Sequence, residues 1–170
     1  RRVPNWWTRS SARRWLKARR EELGNRYLRR PDPQRCLAAH SALVDSLLAR
    51  LWAESIRDPH VALVAAGGYG RGMLFPHSDV DLLVLLPDGR APDADIERFV
   101  GLLWDCGLEP GNSVRTVDEC LEEAAKDVTV DTSLLESRLV AGNRALMAEL
   151  ERRLHARRSV REFFRAKVEE

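Results

Sequence analysis

Two aspartates separated by one residue, Asp79 and Asp81, stand immediately before a run of five apolar residues, Leu82–Leu86. Alternate side chains of a β-strand share a face, so both carboxylates point one way and Val80 the other. Carboxylates held that close repel and raise each other's pKa unless a cation sits between them. Mg²⁺ suits the position, because it takes one or two carboxylates, keeps waters and completes its shell with substrate phosphates. Without such a purpose, two charges beside so much apolar chain would be expensive. Upstream, Gly67 and Gly68 follow a second apolar run, Val61–Ala66. Lacking Cβ atoms, they let backbone N–H groups come close to a polyphosphate and form an anion-binding nest. Between the two pairs, the Arg71 guanidinium and the Ser78 hydroxyl can each donate a hydrogen bond to a non-bridging phosphate oxygen. The chemistry these residue types suit is the holding of a nucleoside triphosphate between a glycine turn and a metal bound by Asp79 and Asp81.

Competing phosphate motifs fail on inspection. A Walker A loop needs Gly-Lys-Ser/Thr, and no lysine occurs between Lys17 and Lys126. The dinucleotide fingerprint fails because Met73 stands where its third glycine is required. Asp-x-Asp alone is common in caps and turns, and Gly-Gly alone in plain turns. Both together, on two successive apolar strands with an arginine and a serine between, form a far more specific pattern.

The flanking elements follow from periodicity and punctuation. Ser10 or Ser11 is placed to cap a helix running to about Tyr27, which Arg30-Pro31-Asp32-Pro33 breaks. A second helix to about Ile56 carries one apolar stripe of Leu37, Val44, Leu47, Leu48 and Leu51. Val61–Ala66 and Asp79–Leu86 read as buried strands joined by a glycine-rich connection over 67–78. Ile96, Phe99, Val100, Leu103 and Trp104 recur at helical spacing, with Gly107 placed to end the helix in the left-handed conformation. A short strand around Ser113–Thr116 precedes a helix opened by a Thr116/Glu119 capping box and ending near Lys126. Residues 129–140 read equally well as strand or helix, and Asn143 caps a last, strongly charged helix. The expected fold is mixed α+β, with a small sheet flanked by helices.

Composition narrows the classes. At 44% hydrophobic and 32% charged residues, the chain is that of one globular domain rather than a disordered or low-complexity segment. Neither apolar run is long enough to cross a bilayer, and the first forty residues contain no signal-peptide core. Cys36, Cys106 and Cys120 include no C-x-x-C pair and are odd in number, which fits reduced thiols of a cytoplasmic protein rather than a zinc site or disulfide framework. The net charge of +2 hides an asymmetry: residues 1–35 carry twelve basic and three acidic side chains, and residues 36–140 eight and eighteen. An acidic middle between basic ends fits a metal- and phosphate-handling centre, while the basic runs read first as solvated helix faces. No nucleic-acid reader motif is present, so nucleic acid is not an expected partner.

The stretch GGYGRGMLFPHSDVDLLVLLP resembles the polymerase-β-type nucleotidyltransferase signature, a glycine pair followed about ten residues later by Asp-x-Asp. In its full form it resembles the N-terminal domain of the bacterial PII uridylyltransferase/uridylyl-removing family. The likeness continues through LLWDCGLE (102–109), SVRT (113–116) and LLESRLVAG (134–142), and covers about residues 35–155. It implies a polymerase-β-like fold, with a basic helical leader over 1–34, the transferase domain over 35–155 and a charged helix over 156–170 leading onward. It also implies transfer of UMP from UTP to a tyrosine hydroxyl of the PII nitrogen-regulatory protein, with release of pyrophosphate; no base-reading residue is identifiable that would separate UTP from ATP. Asp79 and Asp81 would then bind Mg²⁺, two ions in all, and Gly67 and Gly68 would hold the triphosphate. The family's nucleotide-removing HD domain has no counterpart in these residues, since none of His40, His60, His77 and His155 belongs to a His-Asp doublet.

Many members of the superfamily add a third carboxylate on a later strand. Glu136, Glu109 and Asp131 are the candidates, with Glu136 favoured and Arg138 as its expected partner; a surface ion pair on a helix is the other reading. His77 can orient a phosphate or be plainly solvated. Tyr69 can stack near a nucleotide or pack within its loop, and Trp6-Trp7 can dock a partner or pack on the first helix. Two other functions stay open: a catalytically silent module that binds nucleotide or PII, and a nucleotidyltransferase acting on a small molecule or RNA.

Overall fold

Residues 9–108 and 110–157 are described by the computed structural model. Trp6, Trp7 and Glu109 lie outside them, as does the charged segment beyond Arg157. The chain is already helical at Arg9, where α1 (Arg9–Arg29) begins. Ser10 and Ser11 are therefore inside this helix rather than its cap, and Ser11 is buried on its inner face. Asp32 then caps α2 (Pro33–Ser55), its carboxylate accepting the Arg35 N–H at 3.0 Å with Pro33 at the first helical position.

After α2 come β1 (Ala62–Ala65), a single helical turn α3 (Gly67–Gly70), β2 (Val80–Leu86) and α4 (Ala94–Asp105). Gly107, at φ +74°, turns the chain out of α4 as expected. It leads to β3 (Pro110–Thr116), which is longer than the short strand anticipated. The extra length comes from pairing with β2, residue for residue, from Val80 opposite Pro110 to Leu86 opposite Thr116. Thr116 and Glu119 form the expected reciprocal capping box at the start of α5 (Val117–Lys126).

The ambiguous stretch is both things in turn. Asp127 caps α6 (Val128–Leu135), and after two residues β4 (Arg138–Gly142) begins, followed by α7 (Arg144–Arg157) behind the Asn143 cap. The sheet order is β3-β2-β1-β4. β1 pairs antiparallel with both β2 and β4, whereas β2 and β3 are parallel and need the α4 crossover between them. Helices cover both faces, as in the mixed architecture expected. On one face, Val80, Leu82, Val84 and Leu86 join Val44, Leu47, Phe99 and Leu103; Ala12 and Leu16 of α1 belong to the same cluster. On the other, Leu83 and Leu85 meet Val117, Cys120, Met147 and Leu150. Of β2, only Asp81 is exposed. Two of the three cysteines, Cys106 and Cys120, are buried as core fillers, and Cys36 is partly buried. Among the described residues no helix is long and apolar enough to cross a membrane.

Candidate active site

The two apolar strands deliver the acidic and glycine pairs to one end of the sheet. Hydrogen bonding of the Ala66 N–H to the Asp81 carbonyl, at 3.0 Å, ties the start of the glycine turn to the start of β2. Gly67 has φ +54°, a conformation that L side chains rarely adopt. Its missing Cβ also makes room: a methyl there would lie 3.1 Å from Asp81 Oδ2, and one on Gly111 would lie 2.7 Å from Asp81 Oδ1. The Asp81 carboxylate is thus seated between two glycines, one from α3 and one from the parallel neighbour β3. Partial burial, and then the negative charge of Asp79, push the Asp81 carboxyl above its ordinary pKa. Asp79 is fully outside the strand, one residue before β2 and exposed, so β2 starts one position later than its apolar pattern suggested.

Beside Asp81 opens a cleft of about 320 Å³, walled by Gly111, Ser113 and Arg115 of β3 and by Thr129 and Ser133 of α6. Gly111, Ser113 and Arg115 alternate along β3 and so share the face on which Asp81 lies. For the β3 residues the local signal is a two-residue period counted from Gly111, which begins before the expected strand over Ser113–Thr116. A larger cavity, about 720 Å³, lies between α1, α2 and the Phe75–His77 segment, but neither aspartate lines it. His77 faces that cavity rather than the cleft.

The remaining residues divide. The Arg71 guanidinium comes over the glycine turn, with its Nη2 3.8 Å from where a Gly68 Cβ would be. Arg71 Nη1 also donates to both carboxylate oxygens of Glu136, at 2.6 Å each. Glu136 caps the end of α6 rather than standing on a strand. Its expected pairing with Arg138 is not made, because Arg138 reaches across to Asp45 of α2, at 2.9 Å. The backbone dictates this: Glu136 ends a helix and Arg138 opens β4, which sends their side chains to different neighbours. Ser78 spends its hydroxyl on the Phe75 carbonyl, at 3.1 Å, inside a turn. Tyr69 is 2% exposed, so it packs inward and is not free to stack on a nucleotide.

Helix α2, outside the motif altogether, holds the connection between α3 and β2. The Ser41 hydroxyl accepts the Leu74 N–H at 3.0 Å, and His40 Nδ1 lies 3.0 Å from the Leu74 carbonyl. His40 Nε2 accepts from Arg20 Nε, also at 3.0 Å, which puts the imidazole proton on Nδ1 and leaves the ring neutral.

Asp79 and Asp81 suit a hard divalent cation, because their mutual repulsion and the glycine cradle both favour a charge-neutralising partner. Among the described residues no group of three His, Cys, Asp or Glu side chains converges, so Glu136 does not join the aspartates. The protein-family model for the nucleotidyltransferase domain matches residues 50–155, which contain the glycine turn, both aspartates and the cleft.

The chain belongs to this nucleotidyltransferase domain family.

Its relatives agree. The chain is 49% identical over 158 residues to the bifunctional uridylyltransferase/uridylyl-removing enzyme of Chromobacterium violaceum, covering 92% of this chain and 18% of that protein. The enzyme of the same name from Burkholderia lata is 49% identical over 160 residues, or 93% and 19% of the two chains. That from Burkholderia thailandensis is 50% identical over 155 residues, or 90% and 18%. The chain thus spans about a fifth of the length of these relatives. In this nucleotidyltransferase domain, the matched stretch begins within α2 and includes Asp81, Gly111 and Glu136, whereas Asp45 and the helix start lie just before it.

Proposed function

We propose that this nucleotidyltransferase domain transfers UMP from UTP to a tyrosine hydroxyl of a PII-type signalling protein, with release of pyrophosphate. The names of its relatives support uridylyl transfer. The observation that carries a nucleotidyl-transfer chemistry is the seating of Asp81 between Gly67 and Gly111, beside Asp79 and at the mouth of a cleft.

In this reading Asp79 and Asp81 would hold Mg²⁺, with two ions in all. When bound, the metal neutralises phosphate charge and activates the acceptor oxygen. Gly67 and Gly68 offer backbone N–H groups to the triphosphate, which their lack of side chains leaves approachable. Arg71 exchanges Glu136 for a non-bridging phosphate oxygen, an interaction of the stronger, charge-assisted kind. Ser78 must give up its turn bond to Phe75 before it can do the same. Glu136, released from Arg71, is the proposed acceptor of the hydroxyl proton. The domain's own contribution is mostly positioning and electrostatic complementarity rather than covalent chemistry.

Incubation with PII protein, Mg²⁺ and α-labelled UTP or ATP tests the reading. Label on PII from UTP is the expected result, and preferential labelling from ATP would change the nucleotide. Tight nucleotide binding with PII left unlabelled would instead make the chain a silent binding module.

A further inference from the structure

Three of the four residues of α3 are glycine, and its N-cap Ala66 makes no side-chain hydrogen bond. An isolated helical turn is unfavourable to nucleate, and a glycine backbone loses more conformational freedom on ordering than any other residue's. The bareness that opens this turn to a phosphate leaves it nothing of its own to pack with. Tyr69 is the exception. It is the only side chain in the turn, and it is buried at 2% exposure.

The phenol is held at its far end. Its hydroxyl donates to Asp45 Oδ1, and Arg138 Nη2 donates to that same oxygen at 2.9 Å. Arg138 also reaches the Tyr69 carbonyl, at 3.4 Å, and its guanidinium carbon lies 5.0 Å from the centre of the Tyr69 ring. Ring, hydroxyl and backbone of Tyr69 are therefore gripped by one ion pair whose members come from α2 and β4. In the same turn Gly70 presses on the Glu136 backbone so closely that a Cβ would stand 2.0 Å from its carbonyl oxygen.

We propose that Asp45 is a positioning residue for nucleotide transfer, fixing through Tyr69 and Arg138 the turn whose backbone receives the triphosphate. The proposal rests on the reading that Gly67 and Gly68 meet the triphosphate. A merely apolar anchor would need no hydroxyl: burying a phenol requires a hydrogen-bond partner, and the half-buried Arg138 requires a counter-charge. What the polar arrangement adds is direction, since the hydroxyl meets an oxygen that Arg138 also binds, and the guanidinium lies over the ring. Asp45 itself does not line the cleft, so it acts at one remove.

Tyr69→Phe removes one hydroxyl and keeps the ring, Asp45→Ala removes the acceptor from both partners, and Asp45→Asn keeps an acceptor oxygen without its charge. Two measurements on the full chain decide the matter. One is amide hydrogen exchange at Gly70 and Arg71, whose N–H groups close the turn onto the Ala66 and Gly67 carbonyls at 2.9 and 3.2 Å. The other is calorimetric affinity for UTP with Mg²⁺, per folded molecule. Tyr69→Phe and Asp45→Ala are expected to speed exchange at those two amides about tenfold while β1 and β2 stay protected. Both are expected to weaken UTP binding about tenfold, with Asp45→Asn recovering most of it and the double variant no worse than Asp45→Ala alone. Unchanged exchange in Tyr69→Phe overturns the anchor, whatever UTP does. Faster exchange with undiminished UTP affinity overturns the positioning role, leaving a purely structural contact. Failure of the unsubstituted chain to bind UTP removes the functional reading, and the nucleotide half of this proposal with it, while the exchange result still decides the anchor.

Discussion

Arg71 and Glu136 are 65 residues apart in sequence, yet one guanidinium nitrogen of Arg71 binds both Glu136 oxygens at 2.6 Å. The residues proposed to meet phosphate and to accept the hydroxyl proton are therefore paired with each other. Replacing Glu136 by Gln separates the roles. Transfer should fall about a hundredfold if Glu136 takes the proton. UTP affinity should hold or improve, because Arg71 no longer has a competing carboxylate. Steady-state kinetics with separate kcat and KM check this, and a normal kcat in Glu136→Gln would reduce Glu136 to a holder of Arg71. Arg71→Ala should raise KM for UTP about tenfold, the loss expected for one charge-assisted hydrogen bond.

Asp81→Asn should lower transfer by about a hundredfold to a thousandfold, the scale of losing one main electrostatic contributor. The same change relieves the repulsion from Asp79 that, with burial, raises the Asp81 pKa. The inactive variant is therefore expected to melt slightly higher than the unsubstituted chain, by about 1–2 °C in metal-free buffer. Differential scanning calorimetry and the PII-labelling assay read the two effects. A lower melting temperature would mean that Asp81 is satisfied by some partner other than a cation.

Two glycines should respond differently to alanine. In Gly111→Ala the new methyl meets a side chain, Asp81 Oδ1 at 2.7 Å, which can turn away. Activity should fall while the fold survives. In Gly70→Ala the methyl meets backbone, the Glu136 carbonyl oxygen at 2.0 Å, which cannot. A loss of about 2–3 kcal/mol in urea unfolding is expected there, at the upper end of overpacking effects. Equal stability of the two variants would contradict the close approach of α3 to the end of α6.

Burial lowers the His40 pKa, aided by the positive Arg20 and by His77, against the opposing hydrogen bond to Leu74. A histidine with a depressed folded pKa binds fewer protons folded than unfolded. Its contribution to stability is therefore complete above an unfolded pKa of about 6.5 and is lost progressively as pH falls below it. Protonation also removes the lone pair that accepts from Arg20. Urea midpoints at pH 7.5 and 5.5 should drop more for the unsubstituted chain than for His40→Gln. An equal drop in both would show that His40 does not titrate in that range.

Much of this was legible in the residues. The apolar runs marked β1 and β2, the Thr116/Glu119 box marked α5, and the glycine and aspartate pairs marked the end of the sheet where they meet. What stayed hidden depends on non-local pairing. Gly111 matters only because β3 lies parallel to β2 with Gly111 opposite Asp81, and no local pattern announces that register. Asp45 and Arg138 lie on either side of Tyr69, at distances of 24 and 69 residues along the chain. Glu136 and Arg138 are only two residues apart in sequence, but a helix end and a strand start separate them.

The placement of Asp81 also bears on how faithfully the sheet assembles. Val80, Leu82, Val84 and Leu86 enter one core, and Leu83 and Leu85 the other, so both faces of β2 are oily and a misregistered strand would find partners on either side. A slip by one position would carry the Asp81 carboxylate into the larger core, where an uncompensated ion is penalised by several kcal/mol. The acid proposed to hold the metal therefore also disfavours a misregistered sheet. Neutral, greasy replacements at that position should yield more misassembled chain even where the native form remains stable.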